Sequence, residues 1–219
     1  MTNAPKALIL WGGMDFHEPR QTSERFAALL TQRGYVVDIT NDNSRLDAAD
    51  SLLAQDLIVI NMTMGEISDQ QESNLLAAIR AGTGLGGWHG GLGDALRTRT
   101  SFQYAVGGQW VAHPGDTLNY TVQVKSDHEI TDGIGDFGMR SEQYYMHIDP
   151  AVEVLATTTF TGDHDAWIDG TVMPVAWTKM YGNGRVFYCS LGHTNADFDV
   201  PEAARFVEQG LIWATRKAD

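Results

Sequence analysis

The chain of 219 residues has one cysteine, Cys189. A single thiol excludes an intramolecular disulfide and suits a reducing compartment. Its setting, Val186-Phe187-Tyr188-Cys189-Ser190-Leu191, is an apolar strand-like run, so Cys189 reads as a small core residue and not a reactive thiol. Positive charge is also scarce: 15 Lys and Arg stand against 28 Asp and Glu, the net charge is -13, and no basic run occurs. That excludes nucleic acid as a partner, because neutralising phosphates needs clustered cations. No apolar stretch approaches the roughly 20 residues of a membrane span. Met1-Thr2-Asn3-Ala4-Pro5-Lys6 passes straight into a short apolar strand without the apolar core of a signal peptide. A soluble, cytoplasmic protein with no membrane partner is expected.

Local cofactor motifs are missing too. There is no P-loop, and the pairs Gly12-Gly13 and Gly107-Gly108 are weak phosphate signals, so no nucleotide site is expected. Neither an HExxH pair nor a CxxC pair occurs, so any metal must be held by residues from distant segments. No repeat, low-complexity tract or linker interrupts the chain, and residues 1–219 read as a single domain.

What is present is alternation of apolar runs with amphipathic stretches. Ala7–Trp11, Tyr35–Ile39 and Leu57–Ile60 read as buried strands. Between the first two, Pro19–Arg33 places Phe26, Leu29 and Leu30 on one helical face, with Gly34 as the stop. Ser68 and Gln71 have the spacing of a capping box opening a helix that carries Leu75, Leu76 and Ile79. The second half changes character. Asn119–Val124 and Val152–Thr158 alternate, and Val172–Thr178 with Arg185–Leu191 form a hairpin pattern around Tyr181-Gly182-Asn183-Gly184. A last helix runs from about Pro201 to Thr215. The expectation is a three-layer α/β/α fold with a mostly parallel central sheet, flavodoxin-like, and an antiparallel extension in the second half.

Thr83-Gly84-Leu85-Gly86-Gly87-Trp88-His89-Gly90-Gly91 reads as a buried strand running into a glycine-rich turn that opens a helix. Such a turn holds one side chain in a strained pose above the sheet, as a nucleophile elbow does. Here the apex carries neither Ser nor Cys but indole and imidazole. Ligands of open α/β sheets bind outside the carboxyl ends of the parallel strands. Four segments meet there: Gly12–Glu18 with Asp15 and His17, Asn61–Glu66, Trp88–Gly91, and Gly192–Asp197 with His193. His113 follows a loop placed to fold over the pocket, and Glu142 precedes Tyr144 and Tyr145. His128 and His164 read as solvated turn residues, the former with a capping role open to it, and His147 has no assignment. A carboxylate among neutral imidazoles suits a divalent metal, zinc best, held by His17, His89 and His193. Among the indoles, Trp177 reads as core filling and Trp88 as the platform for the C–H face of a sugar ring.

In this order and on these residues, the chain resembles the ThuA-like (trehalose utilisation) family. The resemblance rests on Gly12-Gly13 through His17, Gly86–Gly91, Gly107-Gly108 through His113-Pro114, Asp127-His128-Glu129-Ile130, Glu142–Tyr145, and Pro174–Trp177 through Gly184–Tyr188 with Leu191-Gly192-His193. It covers nearly the whole chain. It implies a fold like that of the class I glutamine amidotransferases without their nucleophilic cysteine, and places His193 where those enzymes carry a histidine. It further implies catabolism of trehalose-related disaccharides after oxidation to a 3-keto sugar. Glu129 stands where the family pattern has proline.

The combined expectation is an enzyme, lyase, hydrolase or isomerase, in which His89 or Glu142 removes the proton beside a 3-keto group. His17 and His193 stabilise the enolate directly or through a metal. Trp88, Asp15, His113 and Tyr145 contact the sugar. A non-catalytic carbohydrate-binding or regulatory module is the alternative, and plain hydrolysis by two acids such as Asp15 and Glu142 ranks below both. A homodimer is the default assembly.

Overall fold

The computed structural model describes residues 4–125 and 127–217, so the N-terminal reading at Met1–Asn3 lies outside the described residues. The first half lays down β1 (Lys6–Gly13), α1 (Pro19–Gln32), β2 (Val36–Thr40), α2 (Ala49–Leu53), β3 (Leu57–Thr63), α3 (Asp69–Arg80), β4 (Gly84–Trp88), α4 (His89–Gly93) and α5 (Thr100–Val106). The second half adds β5 (Gly108–Ala112), β6 (Thr117–Val124), β7 (Phe137–Glu142), β8 (Tyr145–Ile148), β9 (Glu153–Thr159), β10 (Val172–Tyr181), β11 (Gly184–Cys189) and α6 (Pro201–Ala214).

Nine strands form one mixed sheet in the order β2-β1-β3-β4-β11-β10-β9-β6-β7, and β5 and β8 make a separate antiparallel ribbon. The strands from β2 to β11 pair in parallel. From β11 outward, every pairing is antiparallel. The hairpin between β10 and β11 closes where Tyr181 faces Gly184.

Alternation along the strands explains the helices on both faces. Leu8, Leu10, Ile58 and Ile60 pack with Leu75 and Ile79 of α3 and Phe102 of α5. Their neighbours Ala7, Ile9, Leu57 and Val59 pack with Phe26 and Leu30 of α1 and Phe206 and Leu211 of α6. Side chains at odd and even positions of a strand point to opposite faces, so a strand covered on both sides must be apolar throughout. The capping box at α3 is formed: Ser68 Oγ accepts from the Gln71 N–H at 3.1 Å, and Gln71 Oε1 accepts from the Ser68 N–H at 2.9 Å.

The glycine-rich segment does two things. Gly82, Gly84 and Gly87 have G-x-G-x-x-G spacing, but Gly84–Gly87 lie within β4 and not in a strand-to-helix turn, so no phosphate loop is built. Beyond the strand, Gly91 permits close approach: a Cβ there would stand 2.0 Å from Asn61 Oδ1. Asn61 in turn donates to the Pro19 carbonyl and meets Thr22 and Ser23, tying β3 to the start of α1. Cys189 is wholly buried, and burial pushes its thiol up to about 12, as befits a core residue. No helix among the described residues is long and apolar enough to cross a membrane.

Candidate functional site

The carboxyl ends of β1, β3, β4 and β11 do converge. His17 ends a single 3-10 turn, Asp15–His17, that follows β1. His89 opens α4 directly after β4, and His193 stands four residues past the end of β11. Their rings form a triangle with centroid separations of 4.8 Å (17 to 89), 5.2 Å (17 to 193) and 5.5 Å (89 to 193). Glu142, the last residue of β7, supplies the carboxylate. Its Oε2 lies 3.2 Å from His89 Nε2 and 3.4 Å from His193 Nδ1. One donor atom from each of the four residues falls within 4.8 Å of the others.

Surrounding groups fix how these side chains present their atoms. The Ser190 carbonyl can only accept, so His89 Nδ1, 3.0 Å away, carries a proton and Nε2 is turned to the cluster. Tyr144 Oη lies 2.7 Å from that Nε2, at hydrogen-bonding distance. His17 Nδ1 meets Thr63 Oγ1 at 2.9 Å, which leaves Nε2 for the cluster. His193 Nδ1 is buried and has no hydrogen-bond partner, since its approach to Glu142 is off line. The His193 loop is anchored by its own N–H, which donates to Asp197 Oδ2 at 2.9 Å. Glu18 Oε2 accepts from the Asn195 N–H at 2.8 Å and ties the β1 loop to that loop.

The backbone is strained here. Among the described residues, the non-glycine residues with positive φ are Glu18 (49°), Met64 (51°), His89 (48°) and Asp116 (51°), and each belongs to or adjoins a segment of this site. Left-handed backbone costs a branched or polar residue of order 1–3 kcal/mol, so its concentration at one place marks a site held by its surroundings.

Burial, then the neighbouring His89 and His193, push the His17 imidazole down to about 3, so at neutral pH it is an uncharged ring with a free lone pair. Burial alone would raise the Glu142 carboxyl, but its contacts with His193 and His89 outweigh that and hold it well below the usual carboxylate range. His193 is raised by the Glu142 carboxylate against the effect of burial. Neutral imidazoles around a carboxylate are the donor set of a zinc-type ion. For bonds of about 2.0–2.2 Å, tetrahedral ligands sit roughly 3.4 Å apart, which the separations from Glu142 Oε2 match. A hydrogen bond from the far ring nitrogen to a carbonyl, as at His89, is how metal-binding imidazoles are oriented.

His17 and Glu142 of the cluster line a cavity of about 200 Å³. Phe16, Met64 and Trp110 give it an apolar rim, and His113, Glu142, Tyr144 and Asp94 give it polar groups. His113 reaches it from the end of the β5 ribbon, with Nε2 3.9 Å from Glu142 Oε1. Asp116 Oδ1 stands 3.1 Å from His113 Nδ1, off the line that a hydrogen bond needs.

Several expectations need correction. Trp88 offers no accessible face: it is 1% exposed, and its indole packs against Phe26 and Phe198 in the α1/α6 layer. His89 is equally buried and both ring nitrogens are engaged, which is at odds with a freely accessible base at the apex. Tyr145 packs on Phe160, away from the cavity, while Tyr144 faces His89. Asp15 is exposed and does not line the cavity, although its neighbours Met14 and Phe16 do. His128 caps the short turn Glu129–Thr131 through Nδ1, which accepts from the Ile130 N–H. Tyr144, Thr63 and Trp110 were not singled out for this pocket.

A family model described as ThuA, trehalose utilisation, matches residues 6–214. None of the curated proteins matches the chain. Among solved structures, a ThuA-like protein from Bacteroides uniformis superposes with a TM-score of 0.80 at 20% identity, covering 98% of this chain and 93% of its own. Another from Parabacteroides merdae gives 0.78 at 16% identity, with coverage of 99% and 93%. A cytoplasmic protein of Salmonella typhimurium gives 0.67 at 13% identity, with coverage of 96% and 100%. At these identities the likeness is one of fold.

Proposed function

The chain belongs to the ThuA family, and from that membership and the clustered donors we propose that it is a sugar-catabolic enzyme acting on a keto sugar, such as a 3-keto disaccharide or glycoside. The observation that carries this reading is the meeting of three imidazoles and one carboxylate, from four separate segments, two of which, His17 and Glu142, line a ring-sized cavity. His17, His89, His193 and Glu142 would hold a divalent ion, with zinc the best match. When bound, such an ion supplies a Lewis acid that polarises a ketone oxygen and acidifies the neighbouring C–H.

The remaining chemistry falls to the chain itself. His113 is the residue placed to move the proton, since it lines the cavity and His89 is fully engaged. It takes the proton from the carbon beside the ketone, and the electron pair of that C–H bond becomes the enolate. Return of the proton to the other face isomerises the ring, and loss of a glycosidic oxygen from the β-carbon cleaves it. Asp116 Oδ1 stands 3.1 Å from Nδ1, on the side of the His113 ring away from Glu142. Phe16, Met64 and Trp110 take the apolar face of the sugar. A volume of about 200 Å³ lies below the roughly 300–1,000 Å³ of pockets that enclose larger ligands, so one ring is held and a second projects outward. His89, at φ 48°, keeps the strained apex of an elbow like that of the class I glutamine amidotransferases, which we extend to this chain as part of the same proposal.

Incubation with 3-keto-trehalose and 3-keto-glucosides tests the reading. Consumption should cease with chelator and return with zinc, and His113→Ala should lower kcat by about 10²-fold or more with metal content unchanged. Metal-loaded protein that binds keto sugars without consuming them would instead favour the non-catalytic carbohydrate-binding module.

A further inference from the structure

Away from the cluster, the sheet is not zipped along its full length. β6 pairs with β7 from Thr117↔Glu142 to Val122↔Phe137. It pairs with β9 at Gln123↔Thr157 and Val124↔Ala156, and the Lys125 N–H donates to the Leu155 carbonyl at 2.9 Å, so the contact lies at the Val124 end of β6. Beyond those two pairs the strands part, and a cavity of about 360 Å³ opens in the wedge. That volume falls within the roughly 300–1,000 Å³ of small-molecule sites. The wedge shares no lining residue with the cavity at the imidazole cluster.

Its walls have a distinct chemistry. Asn119, Thr121 and Gln123 come from β6, Gln143 from the bend between β7 and β8, and Asp163 and His164 from the loop before β10. Among the described residues no Lys or Arg lines it, so it presents no fixed positive charge. Asp163 Oδ2 accepts from the Thr161 hydroxyl at 2.7 Å. What remains are amides and hydroxyls, groups that both donate and accept and so match the paired donor and acceptor character of vicinal hydroxyls. Gln123 Oε1 is buried and has no hydrogen-bond partner, a costly state that a ligand O–H would relieve. Gln143 Nε2 donates to Thr158 Oγ1 and the Thr159 carbonyl, which leaves its Oε1 as the group it can offer.

Two contacts join this wedge to the cluster. Gln143 sits between Glu142 and Tyr144 and lines the wedge, while those two neighbours line the other cavity. The His164 ring lies against Gly115, in the turn after His113, so closely that a Cβ on Gly115 would stand 2.4 Å from it.

We infer that the wedge between β6 and β9 is a second binding site, for a neutral polyhydroxylated molecule of hexose size. It backs onto the segments that carry Glu142, Tyr144 and His113. The inference does not depend on catalysis at the cluster.

Titration of isotopically labelled full-length protein with D-glucose and with myo-inositol, followed by NMR, tests it. The side-chain amides of Asn119, Gln123 and Gln143 should shift with at least one probe. Gln123→Met should weaken that binding about three- to ten-fold through loss of one hydrogen bond. Thr121→Val, at an exposed position and so harmless to folding, should weaken it as well. Glu142→Gln should leave it unchanged, which separates this site from the other cavity. The proposal is overturned if neither probe shifts these amides, if shifts are confined to His17, His113 and Tyr144, or if both wedge variants bind as the parent does.

Discussion

The Tyr144 hydroxyl lies 2.7 Å from Nε2 of His89, the same nitrogen that faces Glu142 Oε2 at 3.2 Å. The Ser190 carbonyl takes the Nδ1 side of the ring, so Nε2 is the nitrogen that Tyr144 and a cation would both use. In Tyr144→Phe the metal-free protein should therefore lose about 1–3 kcal/mol, the cost of a buried acceptor left unpaired. Zinc should bind the variant at least as tightly as the parent. Urea unfolding with and without zinc, together with competition titration, measures both, and weaker zinc binding in the variant would contradict this arrangement.

Acid should unfold the metal-free protein partly through His17. Its folded value of about 3 lies below the ordinary 6.5, so between those limits the unfolded chain binds a proton that the folded chain does not. Stability from this group is complete above 6.5 and is lost as pH falls toward about 3. Glu142, also depressed, acts in the same sense at lower pH. His193 acts oppositely: its contribution is full below 6.5 and is lost as pH rises through its elevated value. In His17→Asn, the fall in unfolding midpoint between about pH 6.5 and pH 4 should be shallower than in the parent. Parallel curves would show that His17 does not titrate this way.

The two indoles flanking the site should part company on substitution. Trp88→Ala removes a fully buried side chain from between Phe26 and Phe198 and should cost about 3–5 kcal/mol of stability. Trp110→Ala, at the cavity rim, should cost much less stability and instead raise KM about tenfold, equivalent to about 1.4 kcal/mol of lost contact. Thermal unfolding and steady-state kinetics on the two variants distinguish these outcomes.

The parallel half was readable because Ala7–Trp11 of β1 and Leu57–Ile60 of β3 are continuous apolar runs, a pattern that a strand covered on both faces demands. Position at strand ends then brought His17, His89 and His193 into view before any coordinates. What escaped depended on parity and on long-range pairing. Glu142 and Tyr144 reach the same cavity across the bend between β7 and β8, whereas Tyr145, the first residue of β8, packs on Phe160. Trp88 sits beside His89 in the chain, yet as the last residue of β4 its indole falls into the layer below the cleft. β5 is half-buried at every position, so it has no periodicity to read, and only its pairing with β8 makes it a strand.

Elemental analysis of untagged protein, purified without added metal or chelator and again after zinc loading, tests the central claim most directly. One zinc or similar divalent ion per chain is expected in the parent, and a large loss in both His17→Ala and Glu142→Gln with folding retained. A parent that takes up no stoichiometric ion, or variants that keep it fully, would contradict a metal held by residues 17, 89, 142 and 193.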